Sequence, residues 1–223
     1  MVLIPAGSFS MGDDSISDNR RHTVTLSGYY MYRNLVTVAM YRKFCTATGR
    51  AMPAPPSWGW KEEHPIVNVT WDDAKAYCDW AGVSLPTEAQ WEKAARGTDG
   101  RAYPWGNDFD RSRLWCSTKR LGDAGSTHAV GGFVSGASPY GVLDMVGNVW
   151  QWCADSYGKD YWSNGRAPVS DPVNDVANTY RVVRGGSWLT LGADYFRTSY
   201  RGRYAPSDSL DGDGFRCVAP ASR

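Results

Sequence analysis

The side chains best able to bind a transition metal or attack a substrate are five cysteines, at positions 45, 78, 116, 153 and 217, and three histidines, His22, His64 and His128. Their spacing argues against a site built from one local segment. No CxxC pair occurs, so neither a zinc ribbon nor a small disulfide-stapled scaffold is indicated, and no HxH or HxxxH sets two imidazoles on one face of an element. Any metal centre would have to be assembled by the tertiary fold, and the histidines are expected to be ordinary surface or loop residues. The odd cysteine count leaves at least one thiol unpaired within the monomer. Cys45, Cys116 and Cys153 are read as small buried hydrophobes.

The chain that must position these groups has 223 residues, 42% of them hydrophobic, with 24 basic against 23 acidic side chains. It has no internal repeat and no low-complexity linker, and the reading is a single domain over 1–223. A net charge of +1 gives no broad electrostatic capture of nucleic acid or anionic membrane. No stretch approaches the roughly eighteen apolar residues of a membrane span. Met1 to Gly12 lacks the basic start and apolar run of a signal peptide. The expectation is a soluble domain of unknown compartment, one that could be displayed at a surface within a longer protein or assembly. The counts of 11 Trp, 13 Tyr and 24 Gly point to bulky aromatics joined by many turns.

Val2 to Ile4 and the residues through Met11 read as a short strand and turn, and His22 to Tyr30 alternates as another strand. Thr37 caps a helix over Val38 to Thr48 that Gly49 ends. Thr70 to Asp73 starts a second helix that Gly82 stops, and Thr87 with Gln90 forms the capping box of a third, where Glu88 favours the positive helix end. Beyond Gly97 no long helix is expected. Asn148 to Cys153, Tyr180 to Arg184 and Gly214 to Val218 are candidate strands in a largely irregular second half.

Seven blocks then stand in order: Ile4-Pro5 through Met11-Gly12; Trp71 with Ala74, Tyr77, Cys78 and Trp80; Leu85 to Glu92; Tyr103 to Asn107; Asp144 to Trp152; Arg184-Gly185-Gly186-Ser187-Trp188; and Gly214 to Cys217. Together they resemble the formylglycine-generating enzyme, or sulfatase-modifying factor, family across nearly the whole chain. The resemblance implies an α+β, C-type lectin-like fold with few helices, small twisted antiparallel sheets and much irregular structure. It also implies that Cys78 and Cys217 match a structural disulfide pair of the family. The family's oxidase members convert a substrate cysteine to formylglycine with copper held by two cysteines a few residues after the GGS motif. Here no cysteine lies between Cys153 and Cys217. The expectation is therefore a chain that is not an enzyme and needs no cofactor.

Calcium has weak support. In the family a GN-x-W-E-W loop and an earlier segment bind it, but here Gln151 replaces the glutamate and Arg113 stands where a ligand would. Hydrogen bonds that let Asn148 and Gln151 close the loop without metal are the competing reading. The related iron-dependent sulfoxide synthases add a helical domain and a histidine triad, and neither pattern is found in these residues.

Between Trp188 and Gly214, the 25 residues from Leu189 to Asp213 contain no Lys, Glu, Gln, Trp or Met. Those types make up 29 of the 223 residues, so roughly three would be expected there from composition. They are the five amino acids that no codon ending in a pyrimidine encodes. Such a gap is what randomised adenines in AAC or AAT codons leave, and it resembles the hypervariable region of the variable proteins of diversity-generating retroelements. Tyr, Ser, Gly and Asp supply 13 of the 25 residues, a composition suited to a paratope.

The expected ligand-binding residues are Leu189, Thr190, Leu191, Tyr195, Tyr200, Gly202, Tyr204, Ala205, Ser207, Ser209, Leu210, Asp211 and Asp213. Phe196 is assigned to the core, and Arg197, Arg201 and Arg203 are read as scaffold donors on a strand face. The ligand would be a protein or other macromolecule, with no nucleic acid and no membrane as partner of this chain. Two alternatives stand beside this reading. One is a metal-dependent oxidase or hydroxylase of the same family, which predicts converging His and carboxylate groups in a pocket, and the other is an accessory domain of a larger protein.

Overall fold

The computed structural model describes residues 1–118, 122–164, 167 and 169–221. Strands β1 (Val2–Ile4) and β2 (Gly7–Met11) open the chain. The strand expected over His22 to Tyr30 is interrupted, giving β3 (His22–Leu26) and β4 (Tyr29–Met31). Ser27 makes the break, because its amide and hydroxyl both donate to the Asp171 carboxylate, at 2.8 and 2.7 Å, rather than to a neighbouring strand. β4 lies between β1 and β9 (Val218–Pro220) in an antiparallel sheet that joins the two ends of the chain, while β2 pairs with β3.

The three helices form where their caps predict. In α1 (Val38–Thr48) the Thr37 hydroxyl accepts from the Met40 amide at 3.2 Å, and Gly49, at φ 71°, turns the chain out. Reciprocal capping boxes open α2 (Trp71–Ala81), through Thr70 and Asp73, and α3 (Glu88–Arg96), through Thr87 and Gln90. α1 and α2 bury one stripe each: Tyr41 and Tyr77 pack on Phe215, with ring centroids 6.4 and 5.3 Å away. Burial of Phe215, with none of its surface exposed, is worth roughly 1.5–3 kcal/mol. α3 differs, because its charged Glu88, Glu92, Lys93 and Arg96 are buried too. Among the described residues no helix is long and apolar enough to cross a membrane.

A second sheet carries the irregular half. Its order is β7 (Gly202–Tyr204), β6 (Arg181–Arg184), β5 (Trp150–Ser156), β8 (Asp213–Gly214). β5 and β8 run parallel and the other pairs antiparallel. A parallel strand cannot be reached by a tight turn from its neighbours, so the chain between β6 and β8 must leave the sheet and return. That excursion carries most of the segment expected to bind ligand. The strand expected from Gly214 to Val218 splits into β8 and β9, because Phe215 and Cys217 carbonyls accept from the Val36 and Tyr32 amides and the Arg216 side chain turns inward.

Candidate ligand-binding site

A network of buried charges surrounds α3 and reaches β6, the strand that leads into the site. Glu88 accepts from Arg201 at 2.7 and 2.9 Å and from the Trp162 indole at 3.0 Å. Glu92 accepts from the Gly12 amide at 2.7 Å, from Arg96 at 2.7 Å, and from Arg184. Burial alone would raise the Glu88 carboxyl, but Arg201 and then Arg184 hold it below its ordinary value. Lys93 donates to the carbonyls of Pro5 and Gly7 at 2.7 and 2.8 Å. The Glu88 seen in sequence as a helix-end charge is thus a structural counter-ion for Arg201. Arg201 is a scaffold donor, but the three arginines share no strand face: Arg197 ends a 3-10 turn, Arg201 precedes β7 and Arg203 lies within it.

Directly after β6 the GGS motif turns the chain out of the sheet. A Cβ on Gly185, at φ 100°, would stand 2.5 Å from the Met145 carbonyl, so the close approach of these two turns requires glycine. Trp188 is then held on two sides: its amide donates to the Asn148 carbonyl at 2.8 Å and its indole to the Asp211 carbonyl at 2.9 Å. On the far side the Trp150 amide donates to Gly212 at 2.8 Å, which ties β8 to the sheet. Between these fixed points opens a cavity of about 340 Å³, lined by Trp150, Ser187, Leu189, Thr190, Tyr195, Tyr204, Leu210, Gly212 and Asp213. Tyr195 and Leu210 are 45% and 44% exposed at its rim.

Asp213 lies at the opposite extreme, with 1% of its surface exposed. Neither of its carboxylate oxygens receives a hydrogen bond from the protein. Burial, followed by the like charges of Asp208 and Asp211, pushes its carboxyl well above the ordinary value. Burial likewise raises the Tyr204 hydroxyl to about 12, with Asp213 the next cause.

Of the residues expected to bind ligand, Leu189, Thr190, Tyr195, Tyr204, Leu210 and Asp213 line this cavity. Tyr200 lies behind it, its ring 4.9 Å from Tyr195 and 6.1 Å from Trp150. Gly202 is packed into the sheet, where a Cβ would meet Val183 at 2.9 Å. The Leu191 carbonyl accepts from Arg111 at 3.2 Å, and Asp211 contributes the carbonyl that holds Trp188. Ala205 belongs to a turn closed by Asp208, and Ser207 and Ser209 are surface residues away from the cavity. Phe196 is fully buried. Sequence reading missed Trp150, Ser187 and Gly212. Trp150 and Ser187 sit in motifs read as pure scaffold; the parallel pairing of β5 with β8 sets Trp150 against Asp213, and Ser187 meets the segment through the turn in which its amide donates to the Thr190 hydroxyl at 3.1 Å.

The cysteines lie elsewhere. Cys78 and Cys217 have their sulfurs 3.4 Å apart and buried as free thiols, neighbours without a bond. Cys45, Cys116 and Cys153 are buried. All three histidines are partly buried: His64 and His128 lie in loops, as expected, and stack on each other at 6.5 Å, whereas His22 opens β3 and stacks on Trp162 at 4.9 Å.

Residues 1–221 match the sulfatase-modifying factor enzyme 1-like domain family. The chain belongs to that family. It is 33% identical to the formylglycine-generating enzyme of Thermomonospora curvata, over 98% of this chain and 93% of that protein. It is 39% identical to the inactive C-alpha-formylglycine-generating enzyme 2 of Bos taurus, over 77% of this chain and 56% of that protein. Two solved structures share the fold. PvdO from Pseudomonas aeruginosa has a TM-score of 0.81 at 26% identity, covering 97% of this chain and 92% of its own. Treponema denticola variable protein 1 has a TM-score of 0.80 at 25% identity, covering 98% and 94%. The architecture is the α+β, C-type lectin-like fold of the formylglycine-generating enzyme type. One expectation is corrected: absence of the thiol pair led to a reading of no enzyme, whereas relatives similar over nearly the whole chain are named formylglycine-generating enzymes. Two missing residues are a narrow basis against likeness of that extent.

The donor set does not fit the copper centre that the resemblance implies. No side chain lining the cavity beyond the GGS motif carries sulfur, and Thr190 and Tyr195 occupy that segment instead. Nor do the residues around Gln151 fit a calcium ion. Gln151 accepts from the Trp91 indole and Arg216 at 2.8 and 2.7 Å, and its amide and Arg216 already donate to the Asp144 carbonyl, at 3.0 and 2.8 Å. A divalent cation would have to displace a buried guanidinium. Among the described residues no three His, Cys, Asp or Glu side chains converge as a metal cage.

Proposed function

We propose that this chain is a ligand-binding domain whose 189–213 segment forms a diversified recognition surface for a polypeptide. The observation that carries the proposal is the placement of that segment. It leaves a frame whose charges are paired and lines one cavity with Leu189, Thr190, Tyr195, Tyr204 and Leu210. Tyrosines supply rigid, amphipathic contact area at low entropic cost, and a cavity of about 340 Å³ is suited to one or two inserted side chains. The missing purine-ending-codon residues and the likeness to Treponema denticola variable protein 1 support a surface in which these positions vary. Asp208, Asp211 and Asp213 oppose phosphate, which favours polypeptide over nucleic acid.

The names of the enzyme relatives favour a second reading, oxidation or hydroxylation of a substrate held in the same cavity by a site other than a thiolate pair. Selection of a displayed random-peptide library on the purified domain separates the two. The binding reading expects enriched peptides whose affinity falls at least tenfold in Tyr195→Ala and Tyr204→Phe/Leu210→Ala variants. Failure to enrich any peptide, or binders indifferent to these substitutions, overturns it. Steady oxygen consumption with a cysteine-containing peptide would establish the second reading.

A further inference from the structure

Five acidic side chains are buried among the described residues: Glu88, Glu92, Asp144, Asp155 and Asp213. Four have protein donors. Arg201 serves Glu88, the Gly12 amide and Arg96 serve Glu92, the Gly131 amide serves Asp144 at 2.6 Å, and the Glu88 and Asn174 amides serve Asp155 at 2.7 and 2.9 Å. Among these five Asp213 alone has both oxygens without a donor, and it lines a cavity open to the surface. The fold therefore satisfies its buried carboxylates as a rule and departs from that rule where a ligand could enter.

An unpaired buried carboxylate costs several kcal/mol in general and persists where something outside the fold partners it. The charges bearing on Asp213, from Asp208 and Asp211, have the same sign and call for a cation. The remaining walls agree, since Trp150, Tyr195 and Tyr204 are aromatic and suit a cation whose stem is apolar. Leu189 and Leu210 would pack against that stem. We propose that the cavity takes the side chain of a lysine or arginine of the polypeptide ligand, its ammonium or guanidinium donating to the Asp213 carboxylate between the rings of Trp150, Tyr195 and Tyr204. The proposal rests on the recognition reading above and specifies what that surface selects.

The test uses the peptides enriched on the full chain. Lys or Arg should be enriched at one position, and replacing it by norleucine or citrulline should weaken binding roughly thirtyfold, as expected for losing one member of a buried charge pair. On Asp213→Asn the parent and replaced peptides should bind within about threefold of each other. Asp211→Asn, whose carboxylate sits farther out, should weaken the cationic peptide by a smaller factor; its thermal midpoint reports that the fold is intact. Peptides that depend on Tyr195 but show neither a basic preference nor sensitivity to Asp213→Asn overturn the cation proposal and leave the recognition reading standing. If no peptide is enriched at all, both fall.

Discussion

Around α3, Glu88 and Glu92 are as deeply buried as any group in the molecule, yet each faces an arginine: Arg201 for the first, Arg96 and Arg184 for the second. Across β5, Asp213 is buried to a similar extent and faces two other acids. The two regions solve the same electrostatic problem in different ways. In the frame, the cost of desolvating a charge is offset inside the fold, and removing one partner leaves the other stranded. In the cavity, the cost is left standing for a group from outside. The contrast teaches that burial alone does not separate structural from ligand-directed charge; the presence of an internal partner does.

The largest effect should come from breaking the frame. Arg201→Ala removes the two short ion-pair contacts of Glu88 and leaves it the Trp162 indole and the longer approach of Arg184 at 3.6 Å, and should cost about 3–5 kcal/mol in urea unfolding. A loss below about 1 kcal/mol would mean that water reaches Glu88 and that the frame is not closed.

The same comparison has opposite signs in pH. Glu88 is held below its ordinary value, so its contribution is present above the unfolded carboxyl value of about 4.3 and is lost as the pH falls below it. Asp213 is pushed up, so folding is least penalised below about pH 3.9 and loses stability as the pH rises from there toward the folded value. Glu88→Gln should therefore be most damaging near neutrality and converge on the parent in acid. Asp213→Asn should gain over the parent as the pH rises from 4 to 7, by about 1 kcal/mol. Midpoints of urea unfolding at several pH values check both, and parallel profiles for the two variants would erase the distinction drawn here.

Sequence reading found most of the frame and only the outline of the site. Caps and glycine stops are local, so Thr37, Thr70 and Thr87 located all three helices. The 189–213 segment stood out by composition. Its internal division did not, because which residues face a cavity depends on long-range pairing. Gly202 turned out to be packed on Val183 through the β6–β7 register, and Trp150 is set against Asp213 by the parallel pairing of β5 with β8. Nothing local in Asp213 distinguishes it from Asp211, two residues earlier; the strand pairing buries one and leaves the other partly open. Likewise the single strand expected over His22 to Tyr30 ignored Asp171, more than a hundred residues away, which takes the Ser27 donors.

The smallest expected change in stability is the sharpest probe of the recognition surface. Tyr195 and Leu210 are 45% and 44% exposed, and Tyr195 touches the frame chiefly through its edge contact with Tyr200, at 4.9 Å. Truncating either to alanine should shift unfolding by no more than about 0.5 kcal/mol, or about 2 °C in midpoint. Ligand affinity should fall tenfold or more in the same proteins. Phe196, one residue beyond Tyr195 and fully buried, supplies the contrast: Phe196→Ala should cost about 3–5 kcal/mol. If Tyr195→Ala destabilises the fold as Phe196→Ala does, the tyrosine belongs to the frame, and the boundary between frame and recognition surface has to be moved outward to the rim at Leu210.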